Sequence, residues 1–200
     1  MMYPIRIGIT GGIGSGKSYV ARLWQQRHHL PLYDCDTRAR ALMTSDAQLR
    51  SALQALIGED AYTPDGQLCR SRVAEFLFAN SDNARRINAI VHPAVRHDWL
   101  RFAAETQAPA VLMESAILIE AGMSDTVDAI VLVEAPEELR INRAMQRDGS
   151  TRQQVRARVA QQSPQDSLRQ MAQYIITNDG QPLEEQIDTI HHLIINTNNQ

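Results

Sequence analysis

Residues 5–18 read IRIGITGGIGSGKS, an apolar run rich in β-branched side chains followed by a glycine-rich octet that closes on Lys17-Ser18. The spacing Gly11-x4-Gly16-Lys17-Ser18 meets the phosphate-cradling loop pattern in full, and its context is the one that pattern requires: a strand before it and a helix after it. The reading is a strand over 5–10, a loop, and a helix from Lys17 to about Arg27.

Glycines at 12 and 14 allow backbone N–H groups to turn inward, and the start of the following helix adds the positive end of its dipole. In this reading Gly12, Ile13, Gly14, Ser15, Gly16, Lys17, Ser18 and Tyr19 line a nucleotide triphosphate. Lys17 bridges the β- and γ-phosphates and Ser18 ligates Mg²⁺. A dinucleotide fingerprint fits poorly, because lysine stands where its last glycine belongs and the Lys-Ser pair is left unexplained.

Four more short apolar runs follow, at 30–34, 110–113, 129–134 and 174–177. Such near-continuous apolar strands alternating with amphipathic stretches describe an α/β fold around a parallel sheet covered on both faces. Helix starts are predicted at Glu137 after Pro136, at the Thr151-x-x-Gln154 capping box, and at Ser163-Pro164, read as a cap before a first-turn proline. A last helix is predicted over 183–196 with Ile187, Ile190, Leu193 and Ile194 on one face, and residues 196–200 are expected to fray.

About seventy-five residues separate the second and third strands, far more than the ~10–12 of a minimal crossover. Something helical is inserted there, punctuated by a turn at Pro64-Asp65-Gly66 and by His92-Pro93, where the residue before proline is pushed from helical angles.

The chain has 200 residues, is 44% hydrophobic and 22% charged, and carries a formal net charge of −3. One domain of ordinary core size follows, with no global field to draw nucleic acid or lipid. Cys35 and Cys69 have no metal-ligand spacing, no run approaches a membrane span, and the start lacks a basic region followed by a long apolar one. A cytoplasmic protein is expected, with no nucleic-acid or membrane partner.

Asp34-Cys35-Asp36 closes the second strand; if it stays extended, both aspartates face one way. Asp36 then stands at the carboxyl edge of the sheet as a general base for a hydroxyl, while a helix cap at Thr37 is the alternative role. Cys35 reads as packed. Arg140, Arg143 and Arg147 share a helix face, suited to a transferring phosphoryl group or to solvent. Arg152, Arg156 and Arg158 extend the basic stretch. The pairs His28-His29 and His191-His192 read as surface residues, and Trp24 and Trp99 as core.

An ordered set of motifs, IGITGGIGSGKSYVA, LYDCDTRAR, VHPAV, LMESAILIE, VLVEAPEELRINRAMQRD and YIITNDG, resembles the dephospho-CoA kinase family over nearly the full length. The resemblance implies a three-layer P-loop kinase fold with a five-stranded parallel sheet, a helical acceptor-binding insertion over 37–106 and a helical lid over 140–170, all in one domain of residues 1–200. It implies ATP and dephospho-CoA as substrates, Mg²⁺ as cofactor, and a monomer or small homo-oligomer. Phosphate would pass from ATP to the ribose 3′-hydroxyl of dephospho-CoA, giving coenzyme A in the last step of its synthesis.

Carried over by position, Gly14, Gly16, Lys17 and Ser18 match the phosphate loop, and Asp36 the carboxylate beside the acceptor hydroxyl. Arg143 and Arg147 match the lid arginines, with Lys17 and Arg143 joining Asp36 in catalysis. Asn178 and Gly180 match the stretch near the adenine, and His92, with Pro93, matches the acceptor subdomain. Ala116 replaces a usual proline, which loosens φ there, and Gln173 a usual aspartate. Two other classes keep the same loop: a kinase of another nucleoside, nucleotide or small metabolite, and a nucleotide-binding switch, against whose GTPase form stands the lack of an N-K-x-D motif.

Overall fold

The computed structural model describes residues 3–198. The chain divides into two compact units: one is made by the chain up to Asp34 and from Phe102 onward, the other by Cys35–Arg101.

The first unit is built on β1 (Ile5–Thr10), β2 (Leu32–Asp34), β3 (Ala110–Glu114), β4 (Ala129–Glu134) and β5 (Tyr174–Thr177). They form one all-parallel sheet in the order β2-β3-β1-β4-β5. β3 and β4 are buried at every position, which is why their sequences AVLME and AIVLVE show almost no alternation. Ile5, Ile7 and Ile9, with Leu112, Val131 and Val133, pack against Val20, Ala21 and Trp24 of α1 (Lys17–His28) and Ile187, Ile190 and Ile194 of α9 (Leu183–Asn198). α1 ends on His29, whose φ of 52° puts a non-glycine residue in the left-handed cap.

Sequence and structure differ in instructive places. β2 begins at Leu32, two residues late, because Pro31 offers no N–H and contributes only its carbonyl, to Leu112 at 2.9 Å. β3 runs one residue further, to Glu114. Leu193 is half exposed: at 100° per residue it lies about 60° beyond Ile190, off the buried stripe. α9 stays helical through Asn198 where fraying was expected from 196, and residues 199–200 lie outside the described residues.

α6 (Glu137–Asp148) starts after Pro136 with Glu137 and Glu138 in its first turn, and α7 (Arg152–Val159) carries the Thr151/Gln154 capping box. α8 (Gln165–Met171) corrects the Ser163 cap: Pro164 has ψ 140° and is itself the residue before the helix.

The second unit contains α2 (Cys35–Ser45), α3 (Ala47–Ile57), α4 (Arg70–Ala79) and α5 (Asn83–Glu105) as far as Arg101. α2 opens at Cys35, so the extended Asp34–Asp36 stretch is not there; Asp36 sits in the first helical turn, where a carboxylate is favoured. The expected break at His92-Pro93 is absent too. α5 runs through Pro93, which is exposed, so the carbonyl that loses its donor can turn to water while Ile87, Val91, Val95 and Trp99 keep a buried stripe on the other side. Asp98, 2% exposed, accepts from Arg38 at 2.8 Å and Arg101 at 2.7 Å. The Pro64-Asp65-Gly66 turn is present, closed by Thr63 N–H on the Gln67 carbonyl at 2.8 Å. Among the described residues no helix is long and apolar enough to cross a membrane.

Candidate active site

β1 delivers the chain into the glycine octet, and α1 starts at Lys17, so the N–H groups of Lys17 and Ser18 are orphan donors of a helix start. Gly16 is the residue before the helix, in the left-handed region at φ 89°, and Gly14 has φ 76°. Both are glycine for a second reason: a Cβ on Gly14 would collide with the carbonyl of Arg140, and one on Gly16 with the side-chain amide of Asn178. The loop is therefore shaped by protein packing as well as by its glycine backbone angles.

Asn178, just past β5, is buried and donates its side-chain amide to the Ser15 carbonyl at 2.9 Å. Arg143 donates to the backbone carbonyl of Asn178 at 3.0 Å, so α6, the loop and the β5 exit meet at one residue. Ser15 N–H is used inside the loop, on the Gly12 carbonyl at 3.1 Å. Ile13 N–H goes to Gln162 at 2.8 Å. Two buried hydroxyls here, Thr10 Oγ1 and Ser15 Oγ, have no hydrogen-bond partner among the described residues.

Lys17 Nζ lies 3.8 Å from Glu114 Oε1. Glu114 is in register with Ile9 on β1 and with Asp34 on β2, so two carboxylates stand side by side at the carboxyl ends of neighbouring strands. Open parallel sheets place ligands at that edge. An acidic residue closing the wholly apolar run AVLM was the sequence signal for Glu114, and its position beside Lys17 needed the sheet order to be seen.

The three arginines of α6 part company. Arg140 is buried, with Nη1 on Gln165 Oε1 at 2.8 Å and its Nε unpartnered. Arg143 faces Asn178. Arg147 lies outside this cluster, its Nε on Asp148 at 2.7 Å, and the guanidinium groups of Arg147 and Arg158 hold the Asp148 carboxyl well below the usual carboxylate range. Gly180, two residues past Asn178, has φ 111°. Tyr19 is exposed on α1.

In the helical unit, Asp36 is in the first turn of α2 and His92 in the middle of α5, where burial lowers the imidazole pKa and favours its neutral form. A groove of about 350 Å³ in the same unit is lined by Leu42, Leu49, Ile90 and Ala94, with His97 and Asp98 among its polar groups.

The histidine pairs correct the surface reading in part. His28 and His191 stack at 3.7 Å between α1 and α9, and Trp24 Nε1 donates to His191 Nδ1 at 3.3 Å, while His29 and His192 are exposed. Neighbours in sequence do diverge, but a residue from each pair meets the other across two helices. Trp24, Trp99 and Cys35 are buried as expected.

A five-stranded parallel sheet whose first strand feeds a glycine loop, a lysine and a helix start defines a P-loop α/β fold. Comparison with known proteins narrows this. The family model described as dephospho-CoA kinase matches residues 5–184. A dephospho-CoA kinase of Bacteroides fragilis is 38% identical over 205 residues, covering 98% of this chain and 99% of its own. A crystal structure of a Thermus thermophilus protein superposes with a TM-score of 0.80 at 31% identity, covering 98% of each chain. The dephospho-CoA kinase structure from Campylobacter jejuni, at 18% identity, shares the fold with a TM-score of 0.70 and coverage of 96% of this chain and 98% of its own. The chain belongs to the dephospho-CoA kinase family.

Proposed function

We propose that this protein transfers the γ-phosphate of ATP to the 3′-hydroxyl of dephospho-CoA, releasing ADP and coenzyme A. The observation that carries the reading is the loop between β1 and α1, with its Lys17 ammonium at the carboxyl edge of the sheet, in a chain of this family.

The donor side follows from the loop. N–H groups at the start of α1 and the Lys17 ammonium meet the β- and γ-phosphates, and Arg143, held on Asn178, adds positive charge where negative charge spreads during transfer. Arg147 reaches phosphate only by exchanging its carboxylate partner Asp148. Mg²⁺ fits the donor set: Ser18 offers a hydroxyl, and Glu114 and Asp34 are the carboxylates at that sheet edge. Among the described residues no three acidic, histidine or cysteine side chains form a metal cage. When bound, Mg²⁺ neutralises phosphate charge.

On the acceptor side, Asp36 takes the proton of the 3′-hydroxyl as its oxygen bonds to the γ-phosphorus and the bond to the ADP oxygen breaks. His92, kept neutral by burial, serves the acceptor as a hydrogen-bonding group rather than a cation. The groove of the helical unit mixes apolar side chains such as Leu42, Leu49 and Ile90 with polar ones such as Asp46, His97 and Arg101, which suits an acceptor that carries both apolar and polar groups. Residues 37–106 then form the acceptor-binding insertion and residues 140–170 the lid.

The test is the position of the new phosphate. Phosphorus coupling to the ribose 3′ carbon in the product formed from ATP and dephospho-CoA supports the reading; phosphate elsewhere, or no product, refutes it.

A further inference from the structure

Residues at the crown of the phosphate loop are held by the helical segment that follows β4. Ile13 packs its side chain against the apolar cluster of Ile141, Ala144, Val155 and their neighbours on α6 and α7. Its N–H donates to Gln162 Oε1 at 2.8 Å, across a sequence separation of 149. Gln162 lies in the turn that closes α7, its own N–H on the Val159 carbonyl at 3.0 Å. Gly12 is pressed against the same region: a Cβ there would lie 2.7 Å from Arg140 Nη1 and 3.3 Å from Gln162 Oε1. One peptide of the loop is thus gripped at two points, by apolar contact at the side chain and by a hydrogen bond at the N–H.

A glycine-rich loop is conformationally free, and ordering it around a triphosphate costs binding free energy unless something orders it beforehand. The hydrogen bond to Gln162 fixes the orientation of the Ile13 peptide, and through it the direction in which the next N–H groups point. Gln162 belongs to the segment read as the lid. We propose that Gln162 is a positioning residue for the donor site, preorganising the phosphate loop so that ATP affinity depends on the 140–170 segment being docked on Ile13. This rests on the reading of the loop as the ATP site. Gln162 acts through Ile13, without touching the transferred group.

The experiment compares wild type with Gln162→Met, which keeps length and apolar bulk but not the strong acceptor, and with Gln162→Ala. ATP binding is measured by calorimetry without acceptor, then kcat, both KM values and Tm. Loss of one such hydrogen bond corresponds to about three- to tenfold weaker ATP binding. The expected result is that loss in both variants, with KM for dephospho-CoA and kcat within about twofold and Tm lowered by no more than about 2–4 °C. Amide exchange at Ile13, read by NMR without nucleotide, should accelerate in Gln162→Met by a similar factor. ATP binding in Gln162→Met equal to wild type, an unaltered Ile13 exchange rate, or a parallel rise in both KM values with a larger fall in Tm would overturn the role of Gln162. A wild-type protein that binds no ATP would overturn the assignment of the loop itself, and the inference with it.

Discussion

Asn178 donates its side-chain amide to the carbonyl of Ser15 over 2.9 Å, tying the exit of β5 to the middle of the phosphate loop. With Arg143 on its backbone carbonyl, Asn178 joins three parts of the donor site that are far apart in sequence. Replacing it by alanine leaves the buried Ser15 carbonyl without its donor, while the backbone carbonyl that holds Arg143 stays in place. Asn178→Ala is expected to lower kcat/KM for ATP by about tenfold or more, with KM for dephospho-CoA nearly unchanged. Asn178→Asp should be worse, because it aims an acceptor at an acceptor; steady-state kinetics on the two variants give the order.

Gly14 is fixed by conformation and by space. Its φ of 76° costs an L-residue about 1 kcal/mol, and the Arg140 carbonyl occupies the place of a Cβ. Since that obstacle is backbone, it cannot swing aside as a side chain would. Gly14→Ala is therefore expected to abolish measurable ATP binding in calorimetry while far-ultraviolet circular dichroism stays that of a folded protein.

Asp36 is placed by the first turn of α2, immediately after β2. The role proposed for it is that of general base, a function worth about 10²- to 10⁴-fold in turnover. Asp36→Asn should keep ATP affinity and lose turnover by that order, whereas a helix-capping or purely structural role would lower Tm and leave kcat largely intact.

The histidine stack makes stability depend on pH. Burial, reinforced by His28 and His192, pushes the His191 pKa down to about 4, and its Nδ1 accepts from Trp24, so the folded state binds the neutral ring. The groups around it are Arg27 and His28 on α1 and Asp188 and His192 on α9. A depressed histidine pKa favours the unfolded, protonated ring in acid. The contribution is complete above about pH 6.5 and is lost as pH falls from there through 4. Thermal melting from pH 7.5 to 4.5 should show a steeper fall for wild type than for His191→Gln, which keeps an acceptor but does not titrate.

How much of this was legible in the sequence depended on how local each cause was. The loop, the Thr151/Gln154 capping box and the five apolar strands are set by residues a few positions apart, and they appear where the pattern put them except that β2 starts two residues late and β3 ends one residue later. Pro93 misled because the penalty for a helical proline is local, whereas the stripe Ile87, Val91, Val95 and Trp99 that outweighs it is a matter of packing. The extended reading of Asp34–Asp36 failed because a strand end and a helix start share the same carboxylate-rich signature. Glu114 beside Lys17, Gln162 beside Ile13 and the stacked His28 and His191 join residues from distant elements, and only the sheet order and helix packing bring them together.

Steady ADP release from ATP, followed with and without dephospho-CoA, bears on the whole assignment at once. Sustained release that begins only when dephospho-CoA is added, and that stops in Lys17→Ala, is the expected result. ADP release at the same rate without acceptor, or equally with AMP or an unrelated small alcohol in its place, would contradict it.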